Sequence, residues 1–111
     1  MFIDERIYTL KNGNVKPFLA LYEAEGKDVQ IRILGNMIGY FYTDIGPLNQ
    51  VVHMWGYDSM DDRFRRRAEL QESEQWQAYA KQMRPLVSHI ENKILIPTSF
   101  SPIGGTPTRT L

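Results

Sequence analysis

The run Gly46-Pro47-Leu48-Asn49-Gln50-Val51-Val52-His53-Met54-Trp55-Gly56-Tyr57 holds the densest set of residues able to do chemistry. Read as an extended strand whose side chains alternate between faces, it puts Asn49, His53, Trp55 and Tyr57 on one side. An asparagine, a histidine and two rings with polar tips on one face could line a cavity. Histidine titrates near neutral pH, so His53 is the candidate acid or base, and an imidazole can also bind haem iron. The plainer alternative is a buried histidine satisfied by a backbone carbonyl or by Tyr8. An open cavity reaching an unpaired imidazole nitrogen favours the first reading. A sealed, fully hydrogen-bonded ring favours the second. One histidine does not identify a cofactor, and the cofactor stays unknown at this point.

The second candidate is Arg63-Phe64-Arg65-Arg66-Arg67. Arginines can grip a carboxylate or phosphate with two hydrogen bonds. Arg63 and Arg67 are four apart and share one face of a helix. Asp61, Asp62, Glu69 and Glu72 flank the run, so ion pairs at or between elements are expected, with Arg63 kept as a candidate ligand contact. His53 and His89 stand far apart with no acidic pair between them, and no metal site is expected. Cysteine is absent, which removes thiol nucleophiles, disulfides and thiolate metal sites.

These residues need a scaffold. Residues 2–10 alternate like a strand, with Phe2, Asp4, Arg6, Tyr8 and Leu10 on one side. Lys11-Asn12-Gly13-Asn14 is a turn, Asn14 a plausible helix cap, and Val15, Phe18, Leu19 and Tyr22 follow at helical spacing. Pro17 fits within a first helical turn. Gly26 ends or interrupts this helix, and Val29, Ile31, Ile33 and Leu34 suit a continued helix and irregular structure equally. Residues 36–45 and 49–57 form the second and third strands, separated by the turn signal Asp44-Ile45-Gly46-Pro47. Ser59 with Asp62 resembles a capping box opening a helix. Trp76, Tyr79, Ala80 and Met83 form one core stripe, Pro85 stops it, and residues 89–96 make the last strand.

The order strand, helix, strand, strand, helix, strand is the ferredoxin-like βαββαβ arrangement, an α+β fold. Its helices cover one face of a four-stranded antiparallel sheet. The first and third strands pair in it, which brings Tyr8 towards the His53 face. The uncovered face carries large apolar side chains, so a symmetric homodimer with two sheets packed together is expected.

The chain has 111 residues, suited to one domain. Residues 1–97 are expected to form it. Residues 98–111, rich in Pro, Gly and Thr, are expected to be a tail or an arm. Thirteen basic residues balance thirteen acidic ones, which disfavours nucleic acid as a partner. No apolar run is long enough for a membrane span. The charged start Asp4-Glu5-Arg6 does not suit a secretory signal, and a cytoplasmic setting is expected.

The chain resembles the NIPSNAP domain family. The resemblance rests on Tyr8-Thr9-Leu10-Lys11-Asn12-Gly13, on the central 46–57 block, and on Asp62-Arg63 with Arg66-Arg67. It extends through Trp76 to Glu91-Asn92-Lys93-Ile94-Leu95-Ile96-Pro97 and Phe100-Ser101-Pro102. It implies a dimeric α+β barrel, a fold shared with small monooxygenases, haem-degrading enzymes and muconolactone-isomerase-like proteins. The family has no established reaction, and its eukaryotic members resemble mitochondrial proteins linked to vesicle traffic and mitophagy signalling. Two functions follow as expectations. One is a homodimer binding a small apolar organic ligand, oriented by Tyr8, Asn49, Trp55, Tyr57 and Arg63. His53 then serves a monooxygenase, isomerase or cyclase type of reaction. The other is a non-catalytic protein-interaction module.

Overall fold

In a computed structural model, which describes residues 1–105, the first strand β1 (Phe2–Leu10) lies at the centre of a sheet. A turn with Gly13 at φ +80° follows, a conformation that favours glycine. The chain then enters α1 (Val15–Leu21). Asn14 occupies the cap position, but its side chain makes no capping bond; its carbonyl accepts the Phe18 N–H at 2.9 Å. Pro17 sits in the first turn, where its missing N–H leaves nothing unpaired.

Gly26 interrupts this helix without ending it. A single wide turn of π-helix (Tyr22–Gly26) joins α1 to α2 (Lys27–Leu34). Both the turn and its glycine have a packing cause. A methyl group on Gly26 would lie 2.9 Å from the ring of Tyr79, so only glycine permits this approach of the two helices. The Tyr22 hydroxyl spans the wide turn and donates to Gln30 Oε1 at 2.6 Å. Val29, Ile33 and Leu34 therefore belong to a helix and reach the core.

Gly35, at φ +90°, turns the chain into β2 (Asn36–Tyr42), and a loop leads to β3 (Gln50–Tyr57). Both strands are shorter than expected. The Thr43 N–H bonds to the Gln50 carbonyl and closes the hairpin before Ile45. Asn49 has φ 61°, in the left-handed region, so it belongs to the turn. Ser59 caps α3 (Met60–Glu72), its hydroxyl accepting the Asp62 N–H at 3.1 Å. Ser73 ends α3 and caps α4 (Glu74–Met83) in the same way through Trp76. Pro85 lies in a 3₁₀ turn (Arg84–Leu86), after which β4 (Val87–Leu95) begins two residues earlier than expected.

All strand pairs are antiparallel, in the order β2-β3-β1-β4. This is the ferredoxin-like α+β fold. The core lies between the sheet and the helices, built from Phe18, Val29, Leu34, Val51, Trp55 and Leu70, each nearly or completely buried. The other sheet face is less covered. Ile7, Val52 and Met54 are half-buried there and Phe41 is exposed. Of the expected tail, residues 106–111 lie outside the described residues. Residues 98–105 turn back at Ser101, whose N–H bonds to the Thr98 carbonyl, and Gly104 approaches Pro97 and Met1.

Candidate functional site

Strand register decides which side chains meet. β1 and β3 pair Tyr8 with Val51, Arg6 with His53, Asp4 with Trp55 and Phe2 with Tyr57. All eight side chains face the helices. His53 is 1% exposed. Its ring stacks on Tyr40 of β2, with centroids 4.6 Å apart, and meets the edge of Tyr8 at 4.8 Å. The Trp55 indole N–H donates to His53 Nδ1 at 2.7 Å. An indole N–H can only donate, so Nδ1 accepts and the ring proton sits on Nε2. That Nε2–H is buried with no hydrogen-bond partner among the described residues. An orphaned buried donor costs about 1–3 kcal/mol. Burial, reinforced by the neighbouring Arg6 charge, pushes the His53 pKa down to about 3. The ring is neutral at neutral pH and presents a hydrogen-bond donor.

Asp4, fully buried, organises the charges beside this ring. It accepts from Arg63 Nε at 3.0 Å and Asn92 Nδ2 at 2.9 Å, and Arg6 Nη1 lies 3.5 Å away. Burial alone would raise its pKa; the Asn92 hydrogen bond and the Arg6 and Arg63 charges outweigh burial and hold it below the usual carboxylate value.

The arginines of α3 separate by helical position. Arg65 and Arg66 pair with Asp62 at 2.6 and 2.9 Å. Arg66 also donates to the Ile33 carbonyl at 3.1 Å, satisfying the end of α2. Arg63 reaches down to Asp4. Arg67, one turn further on, has no acidic partner among the described residues and lines a cavity. That cavity, about 170 Å³, lies under the corner between α3 and α4. Arg6 and Tyr8 form its floor, Ile90 of β4 its side, and Leu70, Trp76 and Met83 its roof. Openings beside Leu19 and Glu23 are lined by helical residues alone and stand apart from the sheet.

The expected site residues thus divide. Tyr8 touches both His53 and the cavity. Trp55 holds the imidazole, and Arg63 holds Asp4. Tyr57 packs on Phe2 at 5.8 Å, and its hydroxyl is buried without a partner among the described residues. Asn49 stands apart at the strand entrance, where its carbonyl accepts the Leu10 N–H and its amide points to Asn12. Asp4 and Arg6 were not among the expected site residues, and Arg67 entered only through its place in the arginine run. Asp4 and Arg6 did carry a signal, since both are charged residues on the same strand face as Phe2, Tyr8 and Leu10. Among the described residues no group of three or more His, Asp or Glu side chains could hold a metal ion, and no helix is long and apolar enough to cross a membrane.

The NIPSNAP family model matches residues 3–102, nearly the whole described chain. The chain belongs to the NIPSNAP family. Its fold is similar to that of a NIPSNAP family protein from Agrobacterium tumefaciens, 51% identical, with TM-score 0.90 over 92% of this chain and 97% of that one. A NipSnap homologue of Dictyostelium discoideum is 37% identical over 63 residues, which are 57% of this chain and 28% of that protein. The chain spans a small part of such relatives' length. An antibiotic biosynthesis monooxygenase shares the fold alone, at 10% identity and TM-score 0.62 over 88% of this chain and 99% of that one.

Proposed function

We propose that this NIPSNAP chain is a homodimeric small-molecule-binding protein, with its ligand held between the sheet and the α3–α4 corner. The cavity beside Tyr8 carries this reading. At about 170 Å³ it falls below the ~300–1,000 Å³ of sites for drug-sized molecules, so its ligand is small. Tyr8 forms its floor and also touches His53, whose Nε2–H lacks a partner. A ligand that displaces Tyr8 gives that donor an acceptor. In this reading His53 acts as a neutral hydrogen-bond donor, because its lowered pKa leaves almost no protonated ring at neutral pH. Trp55 and Arg63 act as positioning residues, through His53 and Asp4. Monooxygenase, isomerase or cyclase chemistry rests on the shared fold, which does not carry a reaction by itself.

The second copy of the chain belongs on the open sheet face. Its centre is apolar, with Ile7, Val52, Met54 and Phe41. Its β4 side holds both charge signs, Lys93 beside Glu5, and His89 shares a hydrogen bond with Glu91. A twofold-related face presents the same set and can match it.

Native mass spectrometry of freshly purified protein tests both parts. The expected species is twice the chain mass plus a small adduct released on denaturation. A well-folded monomer at micromolar concentration would overturn the dimer. A bare dimer whose mass stays unchanged across a panel of small organic compounds would favour the protein-interaction module instead.

A further inference from the structure

Arg6 and Arg63 converge on a single buried carboxylate, Asp4, and Arg67 lines the same cavity as Arg6. Three guanidinium charges against one carboxylate leave two unmatched. Asp4 is already engaged by Arg63 and Asn92, so it has little left to offer Arg67. The Arg67 guanidinium is half-buried, and burial together with the Arg6 and Arg63 charges makes its proton easier to lose than that of an ordinary arginine. Placing a third cation here is unfavourable unless an anion joins it. The buried Tyr57 hydroxyl, near these arginines but not among the cavity's lining residues, also has no partner among the described residues. Arg84, exposed at the cavity mouth, adds a further positive charge along the way in. Leu70, Trp76, Ala80, Met83 and Ile90 give the lining an apolar wall, and Gln30 and Gln71 add two amides.

We propose that the cavity between β1, β4, α3 and α4 binds a small organic carboxylic acid, its carboxylate held by Arg67 and Arg6 and its apolar body laid against Trp76 and Met83. The proposal rests on the small-molecule reading above and narrows its ligand from an apolar compound to an anion with an apolar body. Arginine matches a carboxylate with two parallel N–H donors, whereas a bare phosphate ion would leave the Trp76–Met83 wall without a partner.

Isothermal titration calorimetry on the full chain tests it, with benzoate as probe. Benzamide, the neutral analogue, and inorganic phosphate are the comparisons. Benzoate is expected to bind saturably, with benzamide and phosphate each at least tenfold weaker. Arg67→Gln is expected to weaken benzoate by about ten- to a hundredfold, the size of a lost charged hydrogen bond in a half-buried site. Arg84→Gln, at the exposed mouth, should weaken it a few-fold. Arg65→Gln removes the same charge from the same helix at the Asp62 pair and should change nothing. Benzamide binding as tightly as benzoate would overturn the carboxylate proposal while leaving the small-molecule site standing. Phosphate binding as tightly as benzoate would overturn the apolar body. Equal losses from Arg65→Gln and Arg67→Gln would reduce the effect to long-range charge and overturn the site. If no probe binds, the carboxylate proposal falls, and the mass-spectrometry panel above decides separately whether the small-molecule reading falls with it.

Discussion

Asp4→Asn removes one negative charge and almost no volume from the floor of the sheet. The carboxylate is fully buried, and the side chains of Arg6 and Arg63 are 12% and 15% exposed. Water cannot easily replace what is lost. An asparagine keeps one acceptor oxygen but turns an amide N–H₂ towards a donor, Arg63 Nε or Asn92 Nδ2. The two arginines then face each other and Arg67 without a counter-charge. Breaking a buried ion pair from one side typically costs ~3–5 kcal/mol. The arginines keep some contact with water, so about 3 kcal/mol is expected, or about 12 °C in Tm at roughly 4 °C per kcal/mol for a domain of this size. Urea unfolding followed by circular dichroism at fixed protein concentration measures it. The pH dependence carries a definite sign. The folded pKa of Asp4 lies below its ordinary value of 3.8, so its contribution is fully present above that value and is lost as pH falls through the folded pKa. The gap between wild type and Asp4→Asn should be widest near neutrality and close at strongly acid pH. Asp4→Asn combined with Arg63→Gln should cost less than the two single changes added together. A gap under about 1 kcal/mol at pH 7, or one that stays constant into acid, would refute the assignment of Asp4 as counter-charge to these arginines.

His53 should show no titration between pH 5 and 8 by NMR, because its pKa is lowered to about 3; a midpoint near 6 would contradict the buried, Trp55-bonded ring. In stability, the unfolded chain binds a proton near pH 6.5 that folded His53 refuses, so His53 makes the protein less stable as pH drops from 6.5 towards 3, a window above that of Asp4. Gly26→Ala should destabilise the fold by about 1 kcal/mol in urea. The usual helical gain of ~0.5–1 kcal/mol is outweighed by overpacking of ~1–3 kcal/mol against the Tyr79 ring. In a Tyr79→Leu background the same change should become neutral or stabilising, and a stabilising effect in wild type would show that the two helices can part.

Alternation and helical spacing were enough to read the order of elements, the antiparallel sheet, the Ser59 cap and the Trp76–Met83 stripe. Each of these is a local property of the backbone or of one face of one element. The same logic placed His53, Trp55 and Tyr57 together, since residues two apart in a strand share a face whatever the strand packs against. Asn49 fell outside the strand because its left-handed backbone belongs to the preceding turn, a matter of one residue that alternation cannot resolve. The continuity of the helix past Gly26 depended on Tyr79, more than fifty residues away, occupying the space a side chain would need. The roles of the arginines were illegible for the same reason. Arg63, Arg65, Arg66 and Arg67 are chemically identical neighbours in the sequence. Only the packing of α3 on β1 sends Arg63 to Asp4, leaves Arg65 and Arg66 on Asp62 and turns Arg67, without an acidic partner among the described residues, into a cavity. Local spacing determines which residues share a face; which charge finds a partner depends on distances that exist only after distant elements meet.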